Sequence, residues 1–278
     1  MKYRSGQAMR AAIEDRLLAR ARARGEDLQR LRKLVAFDRF VERVQAGAGR
    51  RLLLKGGFAM VLRFGARART TRDIDLAVDE RAPDPTAMQT AAAATLGDFF
   101  EFQVGIGETL RVTAPTVVTY RHSVSSFLDG RPFEAFHVDL SSGNPVVGRP
   151  SRLPSTGLLD FAGLGGSVRC ISRSQQFAEK IHALTLPRSD NSRTHDLVDL
   201  MLLLDGGPAP WRTVRTAVDE IFEARRTHPV PAALPDPPAS WMTAYTHSAA
   251  DSGVTQRNVV EAMARLRSAW SRMMAASR

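Results

Sequence analysis

Apolar and polar positions change period several times along this chain, and the changes mark out its elements. Residues 9–24 and 26–47 carry apolar side chains at helical spacing and are divided by Gly25. They read as two helices, the second opening at Glu26 and Asp27 and ending before Ala46-Gly47-Ala48-Gly49. A short apolar strand, Leu52 to Leu54, then meets Gly56-Gly57 and a helical stretch to about Phe64. Arg72 to Val78 has the composition of a strand. A turn at Pro83 and Pro85 leads into an Ala-rich helix over 86–98, and strand-like segments follow at 100–105, 109–121 and 132–140. The loop Ser141 to Pro154 separates these strands from a mostly helical second half. There, the Pro-rich stretch Pro229 to Pro238 precedes a short helix near Trp241 and a final helix over 254–275. The pattern predicts an α/β (α+β) fold with an antiparallel or mixed sheet. A domain boundary is expected near residue 165, giving 1–165 for the leading helices plus core and 166–278 for a helical C-terminal domain.

The chemistry concentrates at Asp73-Ile74-Asp75. On a strand, residues i and i+2 point to one face, so both carboxylates can hold the same metals. Two hard cations about 4 Å apart would clamp a triphosphate and activate an attacking hydroxyl, and oxygen-only ligands suit Mg²⁺. Gly56 and Gly57 sit between a strand and a helix start, where backbone N–H groups can face phosphates. A third carboxylate is available from Asp139 in Phe136-His137-Val138-Asp139-Leu140, to complete metal coordination and help deprotonate the incoming hydroxyl. Its ordinary use would be to cap the turn at Ser141-Ser142-Gly143. His137 shares the face of Asp139 by alternation and reads as a packed histidine before a supporting partner of the site.

Charge adds a partner class. The chain has 278 residues and a formal net charge of +10, and residues 1–51 hold 14 Lys/Arg against 6 Asp/Glu, a surplus of 8. A basic leading segment ahead of a triphosphate-handling site points to a polyanion, and RNA fits best. The single cysteine, Cys170, excludes an intrachain disulfide and a Cys-rich zinc site and reads as a core residue. The N-terminal sequence has no apolar signal-peptide core, and no apolar run reaches the length of a membrane span. A soluble, cytoplasmic protein with no membrane partner is expected.

Four ordered strings carry a family resemblance: Leu54-Lys55-Gly56-Gly57, Thr71-Arg72-Asp73-Ile74-Asp75-Leu76, Ala178-Glu179-Lys180-Ile181-His182-Ala183, and Asn191-Ser192-Arg193-Thr194-His195-Asp196-Leu197-Val198-Asp199-Leu200. Over about residues 10–205 the chain resembles the AbiEii-type nucleotidyltransferases, a family that includes the toxins of abortive-infection and toxin–antitoxin systems, among them the MenT toxins. The resemblance implies a polymerase-β-like nucleotidyltransferase core. Gly56 and Gly57 match its phosphate-binding turn, Asp73 and Asp75 its metal carboxylates, and Lys180 a helix lysine that neutralises the triphosphate. Asp196 matches an acidic position acting near acceptor or nucleotide. Lys55, Arg72 and Arg193 flank these motifs as further nucleotide-binding candidates, with Asp196 placed to orient Arg193 toward the same anion. Taken without the family pattern, Glu179 and Lys180 would be solvated helix charges.

Three departures stand out. The serine that the wider superfamily often has after the first glycine is replaced by Gly57, fifteen residues separate Gly57 from Asp73, and His195 stands where many relatives have Lys. The resemblance implies Mg²⁺ as cofactor, an NTP substrate, a cognate antitoxin and transfer of NMP to RNA, most plausibly the tRNA 3′ end, blocking aminoacylation. Nucleotidylation of a protein hydroxyl, or a non-catalytic RNA- or antitoxin-binding module, are the alternatives. An aminoglycoside substrate fits a basic chain poorly.

Overall fold

The computed structural model describes residues 2–48, 52–78, 86–110, 117–187, 193–207 and 209–276. Helix α1 spans Gly6–Arg24: the Ser5 side chain accepts from the Ala8 N–H, and Gly25, at φ +64°, ends it in the left-handed region. Helix α2, Leu28–Ala48, begins where Asp27 accepts from the Arg30 N–H. Its buried stripe includes Leu31, Leu34, Phe37, Phe40, Val41 and Val44.

Among the described residues, eight strands form one mixed sheet: β1 (Leu52–Lys55), β2 (Ile74–Val78), β3 (Phe100–Val104), β4 (Glu108–Thr109), β5 (Val118–Leu128), β6 (Arg131–Ser142), β7 (Ser151–Pro154) and β8 (Ser167–Cys170). Their spatial order is β3-β5-β6-β2-β1-β8-β7, with β4 beside β5. The β1/β8 and β2/β6 pairs are parallel and the others antiparallel. Helix α3, Gly56–Phe64, leaves β1 directly and buries Phe58, Ala59, Met60 and Val61. Edge-to-face rings lock α2 onto this assembly. Phe37 lies 5.2 Å from Phe58 and 4.9 Å from Phe136, and Phe40 lies 5.5 Å from Phe136 and 5.3 Å from Phe102.

The mixed sheet agrees with expectation, but several boundaries do not. The segment expected as one strand over 109–121 divides into β4 and β5, and β5 continues to Leu128. Residues 111–116, like the Pro83/Pro85 turn, lie outside the described residues. A two-residue turn, Asp129-Gly130, joins β5 to β6 with φ of 58° and 68°. Both values are left-handed, the geometry whose twist matches flanking strands. The Ala-rich helix shortens to α4, Ala87–Ala92. β7 lies in the span read as a loop, and β8 falls just past residue 165 while pairing with β1. β8 does alternate, with Val168 and Cys170 buried and Ser167 and Arg169 facing outward, but four residues make a weak signal beside the longer strands.

The helices that follow among the described residues are α5 (Arg173–Thr185), α6 (Thr194–Asp205), α7 (Trp211–Arg225), α8 (Trp241–Ala250) and α9 (Val259–Ala275). α9 starts five residues later than anticipated because Asn258 caps it, accepting from the Glu261 N–H. Arg67, just after α3, donates to Gly253 O from Nε (3.1 Å) and Nη2 (2.9 Å) and pairs with Asp205, which also takes Arg265 at 2.5 Å. This fastens α6, α9 and the loop after α8 to the core. Cys170 is a buried free thiol, and burial pushes its pKa up to about 12. Among the described residues no helix is long and apolar enough to cross a membrane.

The basic leading segment is largely turned inward. Arg10 donates to the carbonyls of Leu128, Arg131 and Pro132; Arg30 to Ala68 O; and Arg32 pairs with Glu14. Arg20 pairs with Glu26, and Arg39 and Arg43 converge on the fully buried Asp98. The charge surplus therefore overstates the free basic surface, which on α1 comes down to Arg16, Arg22 and Arg24. Removing Asp98 strands two buried guanidinium groups. Asp98→Ala is expected to lower the unfolding free energy by about 3–5 kcal/mol in urea denaturation, and a loss under about 1 kcal/mol would contradict this account.

Candidate active site

Strands β1, β2, β6 and β5 lie side by side, and at one level each carries a charged residue. Lys55 pairs across the sheet with Asp75, Asp75 with Asp139, and Asp139 with Arg121. Partners on adjacent strands share a face, so the row reads plus, minus, minus, plus. Asp73, two residues before Asp75, stands at the strand's entrance with 40% of its side chain exposed. Gly56 opens α3 at φ +62°, and a Cβ there would overlap the Asp75 carboxylate. A Cβ at Gly57 would press on the Thr71 hydroxyl, which donates to Asp73 O at 3.2 Å. The two glycines thus let the helix start approach the acids closely.

Burial raises the Asp75 pKa above the usual carboxylate range, Lys55 partly offsets this, and Asp139 and Asp73 push it further up. Arg121 grips Asp139 with both prongs, Nε to Oδ1 and Nη2 to Oδ2, each at 2.8 Å. Its Nη2 also stands 3.9 Å from Asp73. The hydrogen bond to Asp139 is the main reason its own pKa is raised. His137 corrects the packed reading: it is exposed, with Nδ1 3.8 Å from the Asp73 carboxylate.

Beneath this row lies a second set of charges on α5 and α6. Lys180 is buried rather than solvated, with Nζ 2.5 Å from Asp199 and 3.1 Å from Asp196. Arg193 reaches Asp196 at 3.4 Å and Arg69 reaches Asp199 at 3.3 Å. Desolvation pulls the Lys180 pKa down, but Asp199 and Asp196 outweigh it and the net shift is upward. For Asp196, desolvation pulls up and Lys180 and Arg193 pull down harder, so the net shift is downward. Glu179 is half-buried among partners, with Lys55 at 3.7 Å, Arg225 at 3.4 Å and the Gln175 amide donating at 2.9 Å.

An open cleft of about 660 Å³ gathers Gly57, Arg69, Arg72, Asp73, Asp75 and Asp139. Its far wall brings His195 from α6 and His247, Ser248 and Asp251 from α8 and its end. Lys55, Lys180, Arg193 and Asp196 do not line it; the two lysines reach it through their pull on Asp75. Asn191 and Ser192 of the fourth motif lie outside the described residues. Arg69, Arg121, Asp199 and the α8 wall were missed by the sequence reading, and of these only Asp199, three residues after Asp196, lay inside a motif already singled out.

The three carboxylates form an all-oxygen donor set of the kind a hard divalent cation takes, and the missing Cβ at Gly56 leaves Asp75 room to serve it. The residues present therefore fit such an ion. In the side-chain arrangement seen, no three His, Cys, Asp or Glu groups among the described residues converge on one point, and both Asp139 oxygens are engaged by Arg121.

A family model described as "Nucleotidyl transferase AbiEii toxin, Type IV TA system" matches residues 39–277. Among curated proteins, none matches the chain. Two crystal structures from Helicobacter pylori show a remote likeness. One, JHP933, is 11% identical over 87% of this chain and 91% of its own, with a TM-score of 0.44. The other, described as a "putative nucleotidyltransferase", is 13% identical over 87% of this chain and 92% of its own, with a TM-score of 0.45.

Lys180→Met would leave Asp196 and Asp199 buried without their ammonium. A loss of about 3–5 kcal/mol in unfolding free energy at neutral pH is expected. The raised lysine pKa contributes stability that is full below pH 10.5 and fades as pH climbs above it, and the lowered Asp196 pKa contributes above pH 3.8 and fades below. Thermal melts against pH should show the gap between parent and variant widest between those limits. Parallel curves at every pH would refute the assignment.

Proposed function

This chain belongs to the AbiEii family of nucleotidyl transferase toxins of type IV toxin–antitoxin systems, and from that premise we propose that it transfers a nucleoside monophosphate from an NTP to an RNA acceptor, with the tRNA 3′ end as the preferred target. The observation that carries this reading is the adjacency of Asp75 and Asp139, with Asp73 at the mouth of a cleft that also holds Arg69 and Arg72. Mg²⁺ held by Asp73, Asp75 and Asp139 would supply the Lewis acidity that neutralises the triphosphate. The α3 start at Gly56 and Gly57 faces its phosphates with backbone N–H groups, and Arg69 and Arg72 add positive charge from the cleft wall. Asp139 accepts the proton of the acceptor hydroxyl on a carboxylate oxygen. The new P–O bond forms as the bond to pyrophosphate breaks, and pyrophosphate leaves.

RNA is favoured as acceptor by the net charge of +10 and by the outward arginines of α1, Arg16, Arg22 and Arg24. A modified tRNA end could not be aminoacylated, which accounts for toxicity in the cytoplasm. A cognate antitoxin is the partner that such a system requires.

Purified protein incubated with Mg²⁺, each labelled NTP and total tRNA should label tRNA with at least one nucleotide, and Asp75→Ala should abolish the label. Label on a protein with tRNA unchanged would move the acceptor to a protein hydroxyl; no transfer at all would leave a binding module. Gly56→Ala, which forces the Asp75 carboxylate aside, should keep the fold and cut transfer about a hundredfold. tRNA binding should weaken at least about tenfold between roughly 50 and 200 mM salt, and salt-insensitive binding would count against an RNA acceptor.

A further inference from the structure

Arg121 belongs to none of the four motifs, yet it is the side chain most tightly joined to the carboxylate cluster. Its fork takes both oxygens of Asp139 at 2.8 Å, and the same Nη2 turns toward Asp73 at 3.9 Å. One guanidinium therefore faces two of the three carboxylates. The other flanking cation, Lys55, is on the far side of Asp75 and leans toward Glu179. We infer that Arg121 is a positioning residue that clamps Asp139 and competes with the divalent cation for the outer carboxylates of the site.

The competition follows from charge and geometry. A bidentate guanidinium engages both oxygens in the carboxylate plane, so a hard cation seeking Asp139 must take one from a hydrogen bond already formed. A dication entering between Asp73 and Asp139 also meets the arginine's charge at close range. The ordinary alternative is a cross-strand ion pair on a sheet surface, since 38% of the Arg121 side chain is exposed and such pairs contribute little. The two accounts differ in sign. A surface pair that merely holds Asp139 in place would, on removal, leave metal affinity unchanged or weaken it by freeing the ligand. A competitor would, on removal, tighten it.

This inference rests on the metal-dependent reading above, and the test separates the two. Mn²⁺ alone is titrated against the full chain at pH 8, without nucleotide, with free Mn²⁺ followed by electron paramagnetic resonance. Parent, Arg121→Gln, Arg121→Lys and Asp75→Asn are compared, and circular dichroism checks the fold of each. The expected result is a Kd about tenfold tighter for Arg121→Gln, a smaller tightening of about threefold for Arg121→Lys, which keeps the charge but loses the fork, and lost binding for Asp75→Asn. If Arg121→Gln binds Mn²⁺ no better than the parent, the competition is overturned and the metal site stands. Absence of binding in both overturns the two together. Should Arg121→Gln fail to fold, Arg121→Lys decides by the same sign.

Discussion

Two carboxylates on neighbouring strands, Asp75 and Asp139, sit opposite each other in the sheet, and their mutual repulsion is the constraint around which this fold is arranged. The sheet tolerates them because a cation flanks each one: Lys55 beside Asp75 and Arg121 beside Asp139. That arrangement depends wholly on register, since a slip of one residue would turn every side chain of a strand to the other face. The register of β5 against β6 is fixed by the Asp129-Gly130 turn and then shifted by one at the irregularity between Ser126 and Phe127. Counting from the turn without the shift would put Arg121 opposite Val138. With it, Arg121 meets Asp139. A bulge is thus what delivers the clamp to its carboxylate.

The second tier of charge works differently. Lys180 is saturated by Asp196 and Asp199, and its ammonium acts on the cleft through its field at Asp75 and at His195. Positive charge that a triphosphate could touch comes from Arg69 and Arg72 on the connection between α3 and β2. That connection, residues 65–73, takes up the second half of the path from Gly57 to Asp73. Its length has a use in this chain. Arg67 anchors the C-terminal helices and Arg69 ties Asp199 to the cleft wall.

Which residues come together at the cleft was partly legible in the sequence, and the geometry of their approach was not. Gly56, Gly57, Asp73 and Asp75 declare themselves because glycine before a helix and acids at i, i+2 have local meanings. Asp139 was reachable by the same logic, since a strand acid beside the first two needs only a neighbouring strand. Arg121 was not, because its role depends on pairing across a hairpin whose Asp-Gly turn was readable but whose bulge was not. Lys180 and Glu179 looked solvated from their polar neighbours Ser174, Gln175 and Gln176, yet all three neighbours are themselves buried. Burial of polar helix residues is decided by what packs on them, in this case the Gly56, Arg63, Glu179 and Pro145 partners of the glutamines, and sequence-local composition does not carry that. The N-terminal arginines err in the opposite sense. Counted as surface charge, six of the ten described ones, Arg10, Arg20, Arg30, Arg32, Arg39 and Arg43, satisfy carbonyls and acids within the fold, because a guanidinium carries five N–H donors.

The region beyond residue 205 carried no recognisable motif, yet the family match runs to residue 277 and α8 closes one side of the cleft. The two facts have one explanation. The wall is held by shape rather than by chemistry: Trp241, Tyr245 and Ala249 are buried against the core, the Tyr245 hydroxyl donates to Gln256 O, and Arg67 holds Gly253. Buried apolar positions at helical spacing are common to any packed helix, so they leave no local signature even when the helix they fix is part of a site. What α8 contributes to the cleft, His247, Ser248 and Asp251, is then free to vary without disturbing the carboxylates on the opposite wall. A cleft divided in this way has its carboxylates on sheet strands and its opposite wall on a separately anchored helix.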